Sequence, residues 1–214
     1  MAPLYPQTGY APPYPVPQQR KSRVGLIVAL AVGIPILAVV ALVGLGLAFN
    51  AMADEKPASA ADQSLVLKVA DLEPYLPGLT VHPGAEKTIR RTNVDGSWEV
   101  ENLYESDELF LLSTYEQTDD SSDAAMTMSA INGGTSIGYS GTQVTEEERN
   151  DLMKWGDASK FYIVRNAGNP IGNRLLARKG GKVIHIAFSG IYFTDRDSIH
   201  ELLDPLLRRV SAAP

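Results

Sequence analysis

The alternation of apolar and polar positions changes character along the chain. Residues 24–49 form an unbroken run of 26 positions without a charged or strongly polar side chain. Beyond Ser64 the pattern becomes periodic. Residues 65–72 fit a short helix or strand, ended by Pro74 and Pro77-Gly78. Residues 87–94 and 97–105 are strand-like and flank Asp95-Gly96, a two-residue hairpin signal whose central positions favour positive φ. Residues 109–116 make a third strand. Acidic and hydroxyl side chains over 118–123 suit a helix N-terminus, so a helix is expected over 124–131, stopped by Gly133-Gly134. Thr145 to Glu148 has the spacing of a capping box, which predicts a short helix to about Trp155. Residues 161–165 read as a strand and 166–172 as a loop. Gly180-Gly181 then closes a second hairpin between 173–179 and 182–189. Two-residue closure there pairs Lys179 with Lys182 and Leu176 with His185. Thr194 to Asp197 caps a last helix, whose apolar stripe is Ile199, Leu202, Leu203, Leu206, Leu207 and Val210, with Pro205 off it.

Hairpins in series with helices between and after them argue an α+β domain: a mainly antiparallel sheet with covering helices, preceded by one transmembrane helix and a disordered N-terminal tail. The division reads as a Pro/Tyr-rich cytoplasmic head over 1–23, the membrane helix over 24–49, a flexible linker over 50–63 and the folded domain over 64–214. At about 1.5 Å per residue, the apolar run exceeds a hydrocarbon core of about 30 Å. Ala51-Met52-Ala53 has the form of a signal cleavage site. A signal peptide's apolar region is only about 7–15 residues, however, so the run reads as an uncleaved anchor. Arg20, Lys21 and Arg23 precede it, while Asp54, Glu55 and Lys56 follow. The positive-inside rule then puts the N-terminus in the cytoplasm and the domain outside the plasma (inner) membrane. Gly25, Ala29 and Gly33 form a small-residue stripe that permits a homodimer through this helix. The head carries Tyr5, Tyr10 and Tyr14 among prolines and reads as a spacing tail; the other reading is a ligand for a polyproline-binding groove.

In the C-terminal third, Trp155-Gly-Asp-Ala, then Gly172-Asn-Arg-Leu-Leu-Ala-Arg-Lys-Gly-Gly-Lys-Val, then Ser189-Gly-Ile-Tyr-Phe ahead of the amphipathic helix, resembles exported bacterial single-pass membrane proteins of unassigned role. The outer domain, over about residues 64–210, resembles the PsbP/Mog1-like fold, which also covers actinobacterial lipoproteins of the LpqN kind. The resemblance implies a binding or assembly role in the cell envelope and brings no functional residue with it. Those lipoproteins carry an N-terminal cysteine, and this chain of 214 residues has no cysteine at all. That absence also excludes a disulfide framework, a thiolate zinc site and a cysteine nucleophile.

Charge alters the picture next. The net charge of −6 is strongly segregated: residues 92–148 hold 13 acidic side chains and no lysine or arginine, whereas residues 149–214 hold 11 basic and 6 acidic ones. On the strand over 97–105, Glu99, Glu101 and Glu105 share one face, opposite Trp98, Val100 and Tyr104. On the second hairpin, Arg174, Arg178, Val183 and His185 share a face, opposite Leu175, Ala177, Ile184, Ile186 and Phe188. Such rows are ordinarily solvated or mutually neutralised; the sharper reading is a charged patch that recruits a partner. Arg174, Arg178, His185, Glu99 and Glu101 are therefore the candidate binding residues.

No catalytic residue, cofactor or metal ligand set is proposed. Asp119, Asp120 and Asp123 could ligate calcium but read as helix-capping groups. His82, His185 and His200 form no paired metal motif and there is no GxSxG elbow. No glycine-rich phosphate loop follows a strand, and no basic stripe suits nucleic acid. The expected function is a membrane-anchored, extracytoplasmic binding or interaction module without catalysis, its partner an envelope protein. The alternatives are an apolar-ligand (lipid) binding domain and a hydrolase using His185 or the carboxylates near Asp119.

Overall fold

A computed structural model describes residues 54–82 and 84–213. The head, the apolar run and residues 50–53 lie outside the described residues. Among the described residues, no helix is long and apolar enough to cross a membrane.

Eight strands form one sheet: β1 (Asp54–Pro57), β2 (Glu86–Thr92), β3 (Trp98–Glu105), β4 (Phe110–Gln117), β5 (Val144–Glu148), β6 (Ala158–Asn166), β7 (Asn169–Lys179) and β8 (Lys182–Ser189). Their order is β1-β2-β3-β4-β8-β7-β6-β5. Every neighbouring pair is antiparallel. Two four-stranded meanders thus meet at the β4–β8 seam. Four α-helices and a 3-10 turn (Glu73–Tyr75) complete the described domain: α1 (Ala60–Gln63), α2 (Val69–Leu72), α3 (Ser121–Tyr139) and α4 (Arg196–Ala212). The α+β class with a mainly antiparallel sheet is as expected.

Alternation along the strands sends one set of side chains to each face. Val100, Tyr104, Leu111, Tyr115, Ile184 and Ile186 build the main core with the whole stripe of α4. Ile199, Leu202, Leu203, Leu206, Leu207 and Val210 are all buried, and Pro205 leaves that packing face intact. The segment before β2 closes the rest of this face. Leu67 donates its N–H to Ser113 Oγ at 2.8 Å and accepts from Asn102 Nδ2 at 3.0 Å. These buried polar contacts fix an otherwise irregular apolar segment, because unpaired backbone groups there would be costly. On the opposite face α3 packs over β7 and β8 through Ala124 and Met128 against Leu176 and Val183. The layering is helix, sheet, helix.

Several local expectations change. The presumed linker does not run to residue 63: β1 pairs with β2, and Ser59 forms a reciprocal capping box with Asp62 ahead of α1. The first hairpin closes with three residues rather than two. Asn93 N–H donates to Ser97 O, and only Gly96 takes positive φ (92°). Asp95 accepts from Ser97 N–H and locks that loop. Gly133-Gly134 does not stop α3, which runs on to Tyr139. Tertiary anchors hold it on both sides of the glycines: Asn132 is bound by Tyr162, and Thr135 and Gly138 are buried. Two glycines cost about 1 kcal/mol each but do not break a helix so anchored. The segment expected as a helix from Thr145 is the edge strand β5. The supposed loop over 166–172 is a tight turn at Ala167-Gly168, both with positive φ, between β6 and β7. The second hairpin has the expected register, Lys179 opposite Lys182 and Leu176 opposite His185.

Candidate functional site

Arg174 and His185 project from β7 and β8 onto the α3 face as diagonal neighbours, since Arg174 stands opposite Ala187 and Leu176 opposite His185. Alternation places both there, and α3 then covers them: Arg174 is 1% exposed and His185 2%. A buried guanidinium needs a counter-charge. Glu146 of β5 supplies it, accepting from Arg174 Nε at 2.5 Å and from Nη2 at 2.7 Å. The guanidinium carbon lies 4.3 Å above the Tyr162 ring, and Nη2 reaches Asn132 Oδ1 of α3 at 3.4 Å. Asn132 Oδ1 also accepts from Tyr162 Oη at 3.2 Å. Side chains from β5, β6, β7 and α3 are thereby joined around one cation.

Two nitrogens in this cluster have no partner: Arg174 Nη1 and His185 Nε2. Both residues line a small, partly open crevice under the C-terminal half of α3, with a cavity volume of about 20 Å³. Its apolar walls include Phe110, Leu112, Val164 and Ala187, while Thr135, Tyr139 and Ser189 add hydroxyls. Burial and the adjacent Arg174 charge depress the His185 imidazole to about 3, so it is neutral at physiological pH. Burial, then the Glu146 charge, push the Tyr139 phenol up to about 12, so it stays a donor. The crevice therefore presents fixed hydrogen-bonding groups rather than groups poised to exchange protons near neutrality.

The other sequence-derived candidates fall elsewhere. Arg178 sits toward the hairpin end of β7, with its guanidinium 3.9 Å from Asp157 and about a quarter exposed. Glu99 and Glu101 join a separate ion cluster on the half of the same face that β2–β4 provide. Arg91 Nη1 reaches Glu99 at 2.6 Å and Glu101 at 3.4 Å, and Nε reaches Glu55 at 3.3 Å. Beside it, directly opposite Glu99, Glu116 is pushed up to about 7 by burial and by the Glu99 charge. The five candidates thus separate into one joined pair and two sites apart from it.

Sequence reasoning missed Glu146, Asn132, Tyr139 and Tyr162. Strand alternation over Val144, Glu146 and Glu148 was the available signal for Glu146. It also missed Arg91, which the three-residue loop sets opposite Glu99; a two-residue closure would set it opposite Val100.

A histidine-based hydrolytic site is not assembled. His200 pairs with Asp204 at 3.0 Å on α4, and among the described residues no histidine side chain is hydrogen-bonded to a serine. Near Asp119, Asp120 caps α3 by accepting from Ser122 N–H at 2.6 Å and Asp123 N–H at 3.0 Å. Comparisons of the chain with protein-family models, with curated proteins and with solved structures find no match.

Proposed function

We infer that the chain is a single-pass protein of the bacterial cell envelope whose outer α+β domain binds a ligand or partner without catalysis. The recognition site of that module is the crevice around Arg174 and His185. The observation that carries this is the pair of unpartnered nitrogens, on side chains 1% and 2% exposed, that line one crevice. Buried polar atoms are ordinarily hydrogen-bonded, and two exceptions on residues that line one crevice are what a bound group would complete.

The anchoring part of the reading rests on the 26-residue apolar run and its basic flank. The anchor is followed by only four residues, 50–53, before β1 begins. At about 3.5 Å per residue these reach roughly 14 Å, so the domain is held close against the outer membrane-facing side of the anchor. The head remains a spacing tail in this reading, and the membrane helix offers the small-residue stripe for a homodimer.

The lipid-binding alternative is less favoured, because enclosed ligand sites span roughly 300–1,000 Å³ and this cavity is about 20 Å³. The test uses the full chain in nanodiscs with its three histidines labelled with 15N. Small alcohols, amines, carboxylates and phosphates are added in turn. At least one class is expected to move the His185 ring resonance saturably; silence across all four defeats the reading. Resistance to carbonate extraction, with the domain protease-accessible from outside, is the matching expectation for the anchor.

A further inference from the structure

Resting on the crevice reading above, we propose that the bound group is the carboxylate of a small organic acid with an apolar body. The donors decide the class. Glu146 occupies Nε and Nη2 of Arg174, leaving the Nη1 edge as the guanidinium's free face. A guanidinium offers five N–H donors in a fork that fits carboxylates, and one Arg can hold more than one of them. This molecule shows that arrangement: Arg91 contacts Glu99, Glu101 and Glu55 together. The crevice that Arg174 lines is also lined by Tyr139 and Ser189, which bring hydroxyls, and by His185, whose Nε2 is unpartnered. A neutral imidazole can place its proton on Nε2, which then donates. Such a set of donors calls for an acceptor-rich ligand.

Charge narrows the choice further. A cationic amine would meet the Arg174 guanidinium, whose field already disfavours a proton on His185. A phosphate dianion would add two negative charges to a site where Glu146 already balances Arg174, and burying that excess is costly. A monocarboxylate adds one charge and places it on the free guanidinium edge. The volume fits a head group only: about 20 Å³ is space on the scale of one or two waters. The body then projects outward past the half-buried Phe110 and Ala187, where its burial contributes about 25 cal/mol per Å².

The experiment compares butyrate, butanol and butylamine on the full chain in nanodiscs, following the 15N-labelled His185 ring by NMR. Butyrate is expected to shift that resonance saturably and to raise the midpoint of thermal unfolding, with the other two inert. Ala187→Leu, which fills the crevice from the position opposite Arg174 and keeps both members of the Arg174–Glu146 pair, is expected to weaken butyrate binding by about tenfold or more. The double variant Arg174→Gln/Glu146→Gln keeps a neutral hydrogen-bonded pair and is expected to lose butyrate binding as well. Butanol or butylamine matching butyrate would overturn the carboxylate assignment while leaving a binding crevice. Butyrate binding that survives Ala187→Leu would place the ligand elsewhere and overturn the proposal. Silence of His185 to all three probes would overturn this proposal, and silence to inorganic phosphate as well would overturn the crevice reading on which it rests.

Discussion

Replacing Glu116 by Gln should stabilise the domain at neutral pH and leave it unchanged in acid. Glu116 lies on β4 directly opposite Glu99 of β3, and its carboxylate accepts from Thr127 Oγ1 of α3 at 3.1 Å. Burial is the largest influence on it and the Glu99 charge the next; together they push it from 4.5 to about 7. The sign follows from proton linkage. Between these two values the folded chain holds a proton that the unfolded chain has released, so stability falls as pH rises through that window. Below pH 4.5 the carboxyl is protonated in both states and costs nothing. Above 7 the whole cost is present: about 1.4 kcal/mol per pH unit over the interval gives at most roughly 3.5 kcal/mol. Partial solvent access lowers this to about 2 kcal/mol. Gln keeps the carbonyl that accepts from Thr127 and never ionises. The assay is urea unfolding of the full chain in detergent from pH 4 to 8.5, read by tryptophan fluorescence. Both tryptophans, Trp98 and Trp155, lie in the folded domain, so the signal reports it alone. The gap between variant and parent should be near zero at pH 4 and grow to about 2 kcal/mol by pH 8. A gap that does not vary with pH, or a less stable variant at pH 8, would refute the reasoning.

Other substitutions test the remaining packing and charge arguments. Arg174→Met leaves the Glu146 carboxylate facing the covered cluster without its partner. It should cost about 3–5 kcal/mol in denaturant unfolding, most of it recovered by adding Glu146→Leu. Gly133→Ala should stabilise by about 1 kcal/mol, because it lies inside α3 and an added Cβ meets nothing within 4 Å. Gly172→Ala should lower the thermal midpoint, with a cost of about 2–3 kcal/mol. Its Cβ would sit 2.0 Å from the Phe188 carbonyl oxygen, a backbone atom of the paired strand that cannot swing away.

Local signals in the chain were enough for much of the fold. The stripe from Ile199 to Val210 specifies α4 and its buried face, because helical periodicity alone decides which positions align. Gly180-Gly181 sets the register of β7 and β8, which puts Arg174 and His185 on a common face. The fold brings those two to one crevice, as it brings Glu99 and Glu101 to Arg91, and strand alternation is why. Where two local signals competed, the sequence could not arbitrate. Thr145 to Glu148 carries a capping-box pattern, yet it pairs as β5, where its glutamates meet cations of β6 and β7: Glu147 with Arg165, Glu146 with Arg174. Those partners are far along the chain, so no local window contains them.

The linker boundary and the end of α3 follow the same logic. Asp54–Pro57 is polar and short, and becomes a strand only because β2 offers it an edge. Gly133-Gly134 would end an isolated helix, but Asn132, Thr135 and Gly138 are held against the sheet. By itself, then, the sequence determined which elements are strongly periodic, the turn that pairs β7 with β8, the division into head, apolar run and domain, and the segregation of charge. Only the tertiary structure decided that α3 covers Arg174, that Glu146 neutralises it, and that Glu99 and Glu101 turn instead to Arg91. Periodicity and turn chemistry act over a few residues, whereas a buried ion pair needs partners that the sheet order brings together from distant strands.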